Sequence, residues 1–503
     1  MGQTYPKLMR GTPNLGIQYK YVVLINTTIG AFMAVLDSNI VLIALPTITK
    51  DLHATPFEAV WIIMGYVLVT ASLLMTFGRL SDIFGRVKLY NLGFALFTVG
   101  SALCSIAPTG LALVGFRLVQ GSGGALIFSN AAALLTDAFP ATERGRALGL
   151  NQVAGTVGSV LGLALGGILA GSFLGWRSIF WINIPFGTFA TVWAYSKLRE
   201  LSEPHRGERL DILGNVLFSG GLTAFLVGLM LGALVGWAPA YLGVMLAGLV
   251  MVACFVVAET KVRYPLMDLS LFKIKAFATG MASNLLASIA RGGVSLVLVF
   301  YFQGVLLLDA FTAGLWLIPF SVAFVTFGPL SGYLSDKAWS RGLTTGGLLI
   351  ISVAMFWFGL FPFGNSSDYL ELLVPMVLAG AGGGMFVAPN VASVMNATPA
   401  ARRGIASGMN STLLNTGFLL SLGLAFAVMA TSVPTSVLQG IFAGTASSIC
   451  PPAGPCAVLE RFVGSLHSVF LIMGFISLFA AVPAYMTKRQ KVGYTSGRGV
   501  PTE

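Results

Sequence analysis

Apolar runs of close to twenty residues recur along the whole chain, and they restrict its fold more than any other feature. Such a run has the length of an α-helix that crosses a bilayer, whereas a transmembrane β-barrel shows alternating strands of about ten residues. Only 9% of the 503 residues are charged, against about 25% in a soluble domain. The sequence therefore predicts an all-α polytopic membrane protein.

Fourteen spans fit the apolar runs, and the basic residues test that number. The predicted spans cover residues 20–46, 57–78, 88–107, 111–135, 146–171, 177–197, 211–234, 240–258, 276–304, 312–334, 343–363, 371–395, 404–430 and 462–486. With both termini in the cytoplasm, 24 of the 29 Lys and Arg residues fall in inner segments, where basic residues are preferred. We therefore expect fourteen spans with both termini cytoplasmic. The membrane is expected to be a prokaryotic cytoplasmic (inner) membrane.

The chain also repeats itself. GRLSDIFGRVK after the second span matches GYLSDKAWSRG after the tenth, and RGRALGLNQVAGTVG parallels RGIASGMNSTLLNTG further on. Each copy holds six spans, and spans seven and eight have no counterpart. The prediction is an N-terminal six-helix bundle (1–197), a linker with two inserted transmembrane helices (198–275) and a C-terminal six-helix bundle (276–503). Two six-span halves around a central cavity are a transporter architecture.

Four motifs resemble those of the major facilitator superfamily and, within it, of the fourteen-span drug:proton antiporter family. LDSNIVLIALP resembles the family's first-span motif, and GRLSDIFGRVK resembles the superfamily signature after span two. GFRLVQGSGGA resembles the fourth-span motif and GSVLGLALGGIL the antiporter motif of span five, where Leu163 replaces the usual proline. The resemblance covers nearly the whole chain. It implies the major facilitator fold and proton-coupled export by alternating access.

Asp37 is the only acidic residue in the interior of a predicted span, away from the span ends, and the span interiors contain two bases, Arg117 and Arg291. A charge inside a membrane span is costly and marks a functional residue by default. Low dielectric disfavours the charged form of a carboxylate, and a nearby arginine favours it. Asp37 and Arg117 are therefore predicted to couple transport to protons. A purely structural ion pair between them is the alternative.

The motif after span two predicts a conformational latch at the inner face. Its residues are Gly78, Asp82, Gly85, Arg86 and Arg144. The glycines permit a tight turn and close helix approach. Asp82 can accept hydrogen bonds from a helix N-terminus or pair with a base such as Arg144. The resemblance implies a latch that closes the inner gate, and the alternative is a short solvated loop.

Aromatic, amide and basic side chains in the spans are candidates for substrate contacts, since aromatic rings can hold lipophilic cations. The predicted substrate-binding residues are Phe32, Trp61, Tyr66, Gln152, Asn284, Arg291, Tyr301 and Asn410. Helix packing and helix-to-helix hydrogen bonds are the alternatives. In span five, Gly155, Gly158, Gly162, Gly166 and Gly167 form a small-residue stripe that predicts a close helix seam.

These features predict a proton-coupled exporter of lipophilic compounds, of the multidrug-efflux type. One carboxylate and up to two guanidiniums favour monovalent cationic, zwitterionic or neutral substrates over dications. The alternative is an exporter or flippase of a lipid or amphipathic anion, with Arg291 at the head group.

The expected partners are the small lipophilic substrate, protons and the lipid bilayer, with no nucleic acid and with the chain as a monomer. We expect no enzymatic activity, cofactor or metal, because the sequence shows neither a catalytic pair nor a metal-type cluster. Cys450 and Cys456 lie in a loop predicted to face outward, where a disulfide and two free thiols are both open.

Overall fold

The computed structural model describes residues 18–140, 143–201, 211–262, 265–335, 340–361, 369–399, 402–442 and 457–487. Within these ranges the secondary structure is helical and contains no strand, which confirms the predicted all-α fold. The loop with Cys450 and Cys456 and the side chains of Arg144 and Gln152 lie outside the described residues.

The first six predicted spans correspond to seven helices. These are α1 (Tyr19–Asp51), α2 (Pro56–Phe84), α3 (Arg86–Ser105), α4 (Gly110–Ala138), α5 (Arg144–Ala170), α6 (Ser178–Trp181) and α7 (Asn183–Lys197). Helix α2 begins with a capping box, in which Thr55 and Glu58 each accept the other's backbone N–H. The sixth predicted span is interrupted at Ile182, between α6 and α7.

The two inserted helices are α8 (Ile212–Val235) and α9 (Pro239–Glu259), and a 3-10 turn (Leu269–Lys273) follows them. The ninth span is not one regular helix. It consists of α10 (Lys275–Gly292), α11 (Val294–Val299) and a π-helical segment (Phe300–Val305). At the break, the N–H of Gly293 donates to Ser421 Oγ at 2.7 Å, so another helix satisfies this backbone group.

The remaining helices are α12 (Ala310–Leu334), α13 (Ser340–Leu360), α14 (Tyr369–Ala397), α15 (Arg403–Ser432), α16 (Thr435–Phe442) and α17 (Ala457–Met486). Among the described residues, thirteen helical segments are long and apolar enough to cross a membrane. Each coincides with a predicted span. The other predicted span, 177–197, is the one divided between α6 and α7.

The helices pack in two groups with the inserted pair between them. In the first group, α1 packs along α5, and α4 packs on α2 and α3. In the second, α14 packs on α12 and α13, and α17 packs on α10 and α13. Helix α8 packs on α9 and also contacts α2 of the first group and α15 of the second. The groups meet mainly through α5 with α12 and α2 with α15.

The seam between α5 and α12 is closed at one end of the bundle. We call the end at which α1 terminates the predicted outer end, and the opposite one the predicted inner end. A Cβ atom on Gly167 would lie 2.5 Å from the carbonyl oxygen of Ala310, and one on Gly314 would lie 2.7 Å from that of Leu163. Gly149 lies on the same face of α5 as Gly167, about five turns earlier, and a Cβ atom there would meet nothing within 4 Å. The two helices therefore touch at the predicted outer end and separate towards the predicted inner end.

The glycine stripe of α5 serves two different seams. Cβ atoms on Gly158, Gly162 and Gly166 would lie 2.6–2.8 Å from backbone carbonyl oxygens of α1. Gly167 instead faces α12. The close approach of α5 to α1 holds in place the middle of α1, where Asp37 lies.

Candidate functional site: a buried charge pair

Asp37 lies in the middle of α1 and is completely buried. Its Oδ2 accepts a hydrogen bond from Arg117 Nη1 of α4. Its Oδ1 accepts hydrogen bonds from Gln120 Nε2 at 2.8 Å and from Asn183 Nδ2 at 2.7 Å. The structure thus forms the expected ion pair of Asp37 and Arg117, and it surrounds the carboxylate with three donor groups. A buried charge requires such compensation.

Arg117 is held as firmly as the carboxylate. Its Nε donates to the carbonyl of Ile62 in α2 at 3.1 Å, and its Nη1 also donates to Gln120 Oε1 at 2.5 Å. The guanidinium carbon lies 4.3 Å from the ring centroid of Tyr66, within the range of a cation–π contact. Gln120 in turn donates to Ser101 Oγ of α3 at 2.7 Å. Five helices therefore converge on one charge pair.

Gln120, Asn183 and Ser101 are site residues that the sequence analysis missed. Gln120 carries a signal, because it lies one turn after Arg117 on the same helix face. Asn183 begins α7 directly after the break at Ile182, and interrupted membrane helices often form binding sites. Ser101 carries no signal, since serine is common in packed helix seams.

The predicted substrate residues do not form one cluster. Tyr66 is buried in the charge-pair site, against Arg117. Trp61 is buried and packs on Phe57, with ring centroids 5.8 Å apart. Tyr301 is buried in the π-helical segment. In this conformation the three rings contact protein rather than an open cavity.

Asn284 of α10 and Asn410 of α15 are brought together. Asn284 Nδ2 donates to the backbone oxygen of Asn410 at 3.2 Å and to its Oδ1 at 3.0 Å. On the same two helices, the buried hydroxyls of Ser288, Thr412 and Thr416 have no hydrogen-bond partner among the described residues. The seam between α10 and α15 thus combines a helix-to-helix bond with unused hydrogen-bonding groups.

Arg291 lies in the last turn of α10, directly before the break at Gly292 and Gly293. Its guanidinium carbon lies 5.4 Å from the ring centroid of Phe324. Its Nε has no hydrogen-bond partner within the described part of the chain, and the ion pairs found there do not include this arginine. The guanidinium therefore retains a donor for an anionic or hydrogen-bond-accepting group.

An open apolar cavity of about 580 Å³ lies at the surface between α1, α5 and α7, with Phe186 and Phe189 exposed in its wall. Its lining residues are Thr28, Ile29, Phe32, Ala154, Val157, Pro185, Phe186 and Phe189. Phe32, a predicted substrate residue, thus lines a cavity on the helix that carries Asp37. Such a lining suits the apolar part of a small molecule.

The motif after α2 forms a charge cluster at the predicted inner end. Arg86 Nε donates to Asp82 at 2.9 Å, and Arg86 Nη1 donates to Asp137 of α4 at 2.7 Å. Gly85 has a φ of +106° between α2 and α3, which favours glycine. A Cβ atom on Gly78 would lie in van der Waals contact with α4. The observed partner of Asp82 is therefore Arg86.

Glu200 occupies the position at the N-terminus of α3 that was one expectation for Asp82. Its two carboxylate oxygens accept the backbone N–H groups of Arg86 at 2.9 Å and Val87 at 3.0 Å. Of the two options for Asp82, the structure shows the pairing with a base, and that base is Arg86, one helical turn away. Glu200 follows α7, so the chain leaving the first six spans is tied to the motif.

A family model described as Major Facilitator Superfamily matches residues 27–422. The chain is 31% identical to the riboflavin transporter RibZ of Clostridioides difficile (strain 630) over 410 residues, which cover 82% of this chain and 88% of that protein. It is 32% identical to the multidrug resistance protein Stp of Mycobacterium tuberculosis (strain CDC 1551 / Oshkosh) over 409 residues, covering 81% of this chain and 75% of that one.

A solved structure shows the same fold at low sequence identity. It is a bacterial homolog of the human lysosomal transporter Spinster, in an inward-facing and occupied conformation. The alignment has a TM-score of 0.65 and 17% identity, and it covers 93% of this chain and 97% of that chain.

Proposed function

This chain belongs to the Major Facilitator Superfamily, and we propose that it is a proton-coupled secondary active exporter, an antiporter of the multidrug-efflux type. The similarity to a multidrug resistance protein supports export, and the similarity to a riboflavin transporter supports a small-molecule substrate. The proposed substrates are lipophilic and monovalent cationic, zwitterionic or neutral.

The observation that carries this proposal is the buried pair of Asp37 and Arg117. If Arg117 moves away as access alternates, a buried carboxylate is left without its counter-charge and takes up a proton. The return of Arg117 expels that proton. Asn183 and Gln120 can donate to the carboxyl group in either form, so they hold its orientation. Proton entry down a potential of 100 mV supplies about 2.3 kcal/mol per charge for export.

Alternating access requires two bodies that move against each other. We propose that these are residues 1–197 and 276–503, joined by the linker and inserted helices of 198–275, in a monomer of the prokaryotic inner membrane. Both termini would be cytoplasmic, a placement that the distribution of Lys and Arg supports. With this orientation, the seam of α5 and α12 is closed towards the outside and open towards the cytoplasm, which supports an inward-facing conformation.

We propose that the substrate's apolar part occupies the cavity lined by Phe32 and that its charge is selected by the two guanidiniums. A second cationic charge near a guanidinium costs about 2 kcal/mol at roughly 8 Å and an effective dielectric of about 20. This penalty corresponds to about 30-fold in affinity. Bivalent cations should therefore be poor substrates.

The unused Nε of Arg291 favours a second candidate function. In this alternative the protein exports or flips a lipid or amphipathic anion, and Arg291 binds the head group. Ser288, one turn earlier on α10, has an unpartnered hydroxyl among the described groups and would add a second hydrogen bond. The two candidates differ in the charge of the substrate, so one experiment separates them.

We expect purified protein in proteoliposomes, under an imposed proton gradient, to transport monovalent quaternary amines and neutral lipophiles at least about tenfold better than bivalent amines. Arg291→Ala should narrow that difference, and Arg291→Lys, which keeps the charge, should retain it. Efficient export of bivalent amines by the wild type would contradict the charge selection. Export of lysolipids or fatty acids that disappears in Arg291→Ala would establish the alternative function.

Asp82→Asn should favour the inward-facing conformation. In the observed conformation Asp82 pairs with Arg86 of its own group of helices. The proposed latch adds a contact of the Asp82 carboxylate when the inner end closes, and asparagine weakens that added contact. A part-exposed ion pair contributes about 0.2–1 kcal/mol, so the ratio of conformations should change by up to about fivefold. Distances between spin labels at Leu150 and Leu334, near the predicted inner ends of α5 and α12, measure that ratio.

The matched control for the latch is Asp51→Asn. It breaks an ion pair of similar length at the predicted outer end, where Arg177 Nη1 lies 2.8 Å from Asp51 Oδ2. This change should leave the distances at the predicted inner end unaltered. A distribution that is equally unchanged in Asp82→Asn would remove the latch role.

A further inference from the structure

Two buried acids meet at the predicted inner ends of the inserted helices. Asp211 is the N-cap residue of α8 and is 7% exposed, and Glu259 is the last residue of α9 and is 3% exposed. One oxygen of each has a backbone donor: Asp211 Oδ1 accepts from Gly214 N–H at 2.8 Å, and Glu259 Oε2 accepts from Met267 N–H at 2.9 Å. The second oxygen of each carboxyl group is not used in this way.

The two remaining oxygens face each other. Asp211 Oδ2 and Glu259 Oε1 are buried and have no donor among the described groups. A Cβ atom on Gly214 would lie 2.5 Å from the first and 2.7 Å from the second, so the two oxygens are at most 5.2 Å apart. Ionised carboxylates are acceptors only, so a hydrogen bond between two of them requires a proton on one. Two bare carboxylates buried at this separation would repel each other.

The basic residues near this acid pair either have other partners or are exposed to solvent. The charged residues of the described elements that meet here are Arg79, Lys261, Asp268, Lys273, Lys275 and Arg402. Arg79 donates to the carbonyl of Pro265, and Arg402 forms an ion pair with Asp268 at 2.9 Å. The three lysines are exposed. Among the groups that the structure describes, a proton is therefore the counter-charge that we infer for the two acids.

The acid pair lies where the inserted helices join both groups of helices. Glu259 holds the backbone of Met267, which is next to Asp268 and its partner Arg402 in front of α15. Two residues before Met267, Pro265 accepts a hydrogen bond from Arg79 of α2. The segment between α9 and α10 is thus bonded to both groups, and the charge on Glu259 acts on it directly.

We propose that Asp211 and Glu259 form a proton-binding site, separate from Asp37, that shares one proton between two carboxyl groups and loses it as pH rises. The bound proton joins the start of α8 to the end of α9. After its loss, repulsion between the carboxylates loosens the junction that connects both groups of helices. The pair goes beyond the export function proposed above, because it would make transport respond to pH at the predicted cytoplasmic face.

Infrared spectroscopy of the purified full-length protein tests this site directly. We expect a stretching band of a protonated carboxyl group at neutral pH, which vanishes at alkaline pH and is missing from both Asp211→Asn and Glu259→Gln. Asparagine remains a good N-cap, and its amide can donate to Glu259 as the shared proton does. A band that persists in both variants overturns the proposal.

Thermal unfolding gives a second readout with a definite sign. The folded wild type binds one proton more tightly than the unfolded chain, so its Tm should fall as pH rises through the titration of the pair. The Tm of Asp211→Asn should lack this fall. A wild-type decline that Asp211→Asn shares would overturn the proposal. Neither readout uses transport, so the result is independent of whether the export proposal holds.

Asp309→Asn is the matched control, since Asp309 is also a helix N-cap, at the start of α12. Hydrogen bonds from the hydroxyl and N–H of Thr312 hold the pKa of Asp309 below its usual value. It is ionised at neutral pH, and its replacement should change neither the band nor the pH dependence of Tm. Saturable stabilisation of the wild type by Ca²⁺ or Mg²⁺ that is lost in Asp211→Asn would show a cation site and overturn the proton site.

Discussion

Asp37→Asn is expected to abolish proton-driven accumulation of substrate in proteoliposomes with an inward proton gradient. The asparagine can still accept hydrogen bonds from Gln120 or Asn183, but it cannot exchange a proton. It also leaves Arg117 buried without a counter-charge, which costs about 3–5 kcal/mol. The single variant should therefore fold with a lower Tm and should lose coupling completely.

The double variant Asp37→Asn/Arg117→Gln separates coupling from stability. It removes both charges, so it should recover much of the stability that the single variant loses. It should nevertheless fail to accumulate substrate. Retention of gradient-driven accumulation in either variant would exclude Asp37 as the proton carrier. Loss of accumulation in the single variant with recovery in the double variant would make the pair purely structural.

Gly167→Ala is expected to shift the protein away from the conformation that is closed at the predicted outer end. The added Cβ atom would lie 2.5 Å from the carbonyl oxygen of Ala310 and 2.6 Å from the Cα atom of Phe311. Both are backbone atoms, so the helices must move apart. Overpacking of this kind costs about 1–3 kcal/mol, which changes the ratio of two conformations by about five- to 150-fold. Longer distances between spin labels at Phe173 and Leu315 would show the shift.

Gly149→Ala is the control for this change on the same helix face. A methyl group there meets nothing within 4 Å, and the gain in helix propensity is the same for both substitutions. Gly149→Ala should leave the distances at the predicted outer end unchanged. Equal distributions in the two variants would show that the seam at Gly167 does not hold the outer end closed.

The pair of Asp37 and Arg117 could be predicted from the sequence, but the uncharged residues that form hydrogen bonds around it could not. Asp37 and Arg117 stand out because charges are rare in apolar spans. Gln120, Asn183 and Ser101 are uncharged, and such residues occur in spans for many reasons. Only the packing of α3, α4 and α7 around α1 shows that these three residues bond in one network with the carboxylate.

The breaks in the helices could not be predicted from the sequence pattern either. The run 177–197 is mostly apolar between Arg177 and Lys197, so hydropathy alone does not mark its division at Ile182. Likewise, the glycines at 292 and 293 permit a break but do not require one, since single glycines are tolerated in membrane helices. The contact of Gly293 with Ser421 depends on the position of α15, which hydropathy does not encode.

Helix α8 makes the two lateral seams of this two-fold repeated architecture different from each other. One lateral seam between the two groups, that of α2 and α15, is covered by α8, because a Cβ atom on Gly423 of α15 would lie 2.9 Å from Leu226 of α8 and 3.9 Å from Met64 of α2. The seam of α5 and α12 has no such cover in the described part of the chain. For the proposed export of lipophilic compounds, the seam of α5 and α12 is therefore the lateral entrance from the bilayer that the described helices leave uncovered, whereas without α8 both seams would be uncovered. Mutations that widen the seam of α5 and α12 should alter which membrane-dissolved solutes are transported. Equivalent changes at the seam of α2 and α15 should not.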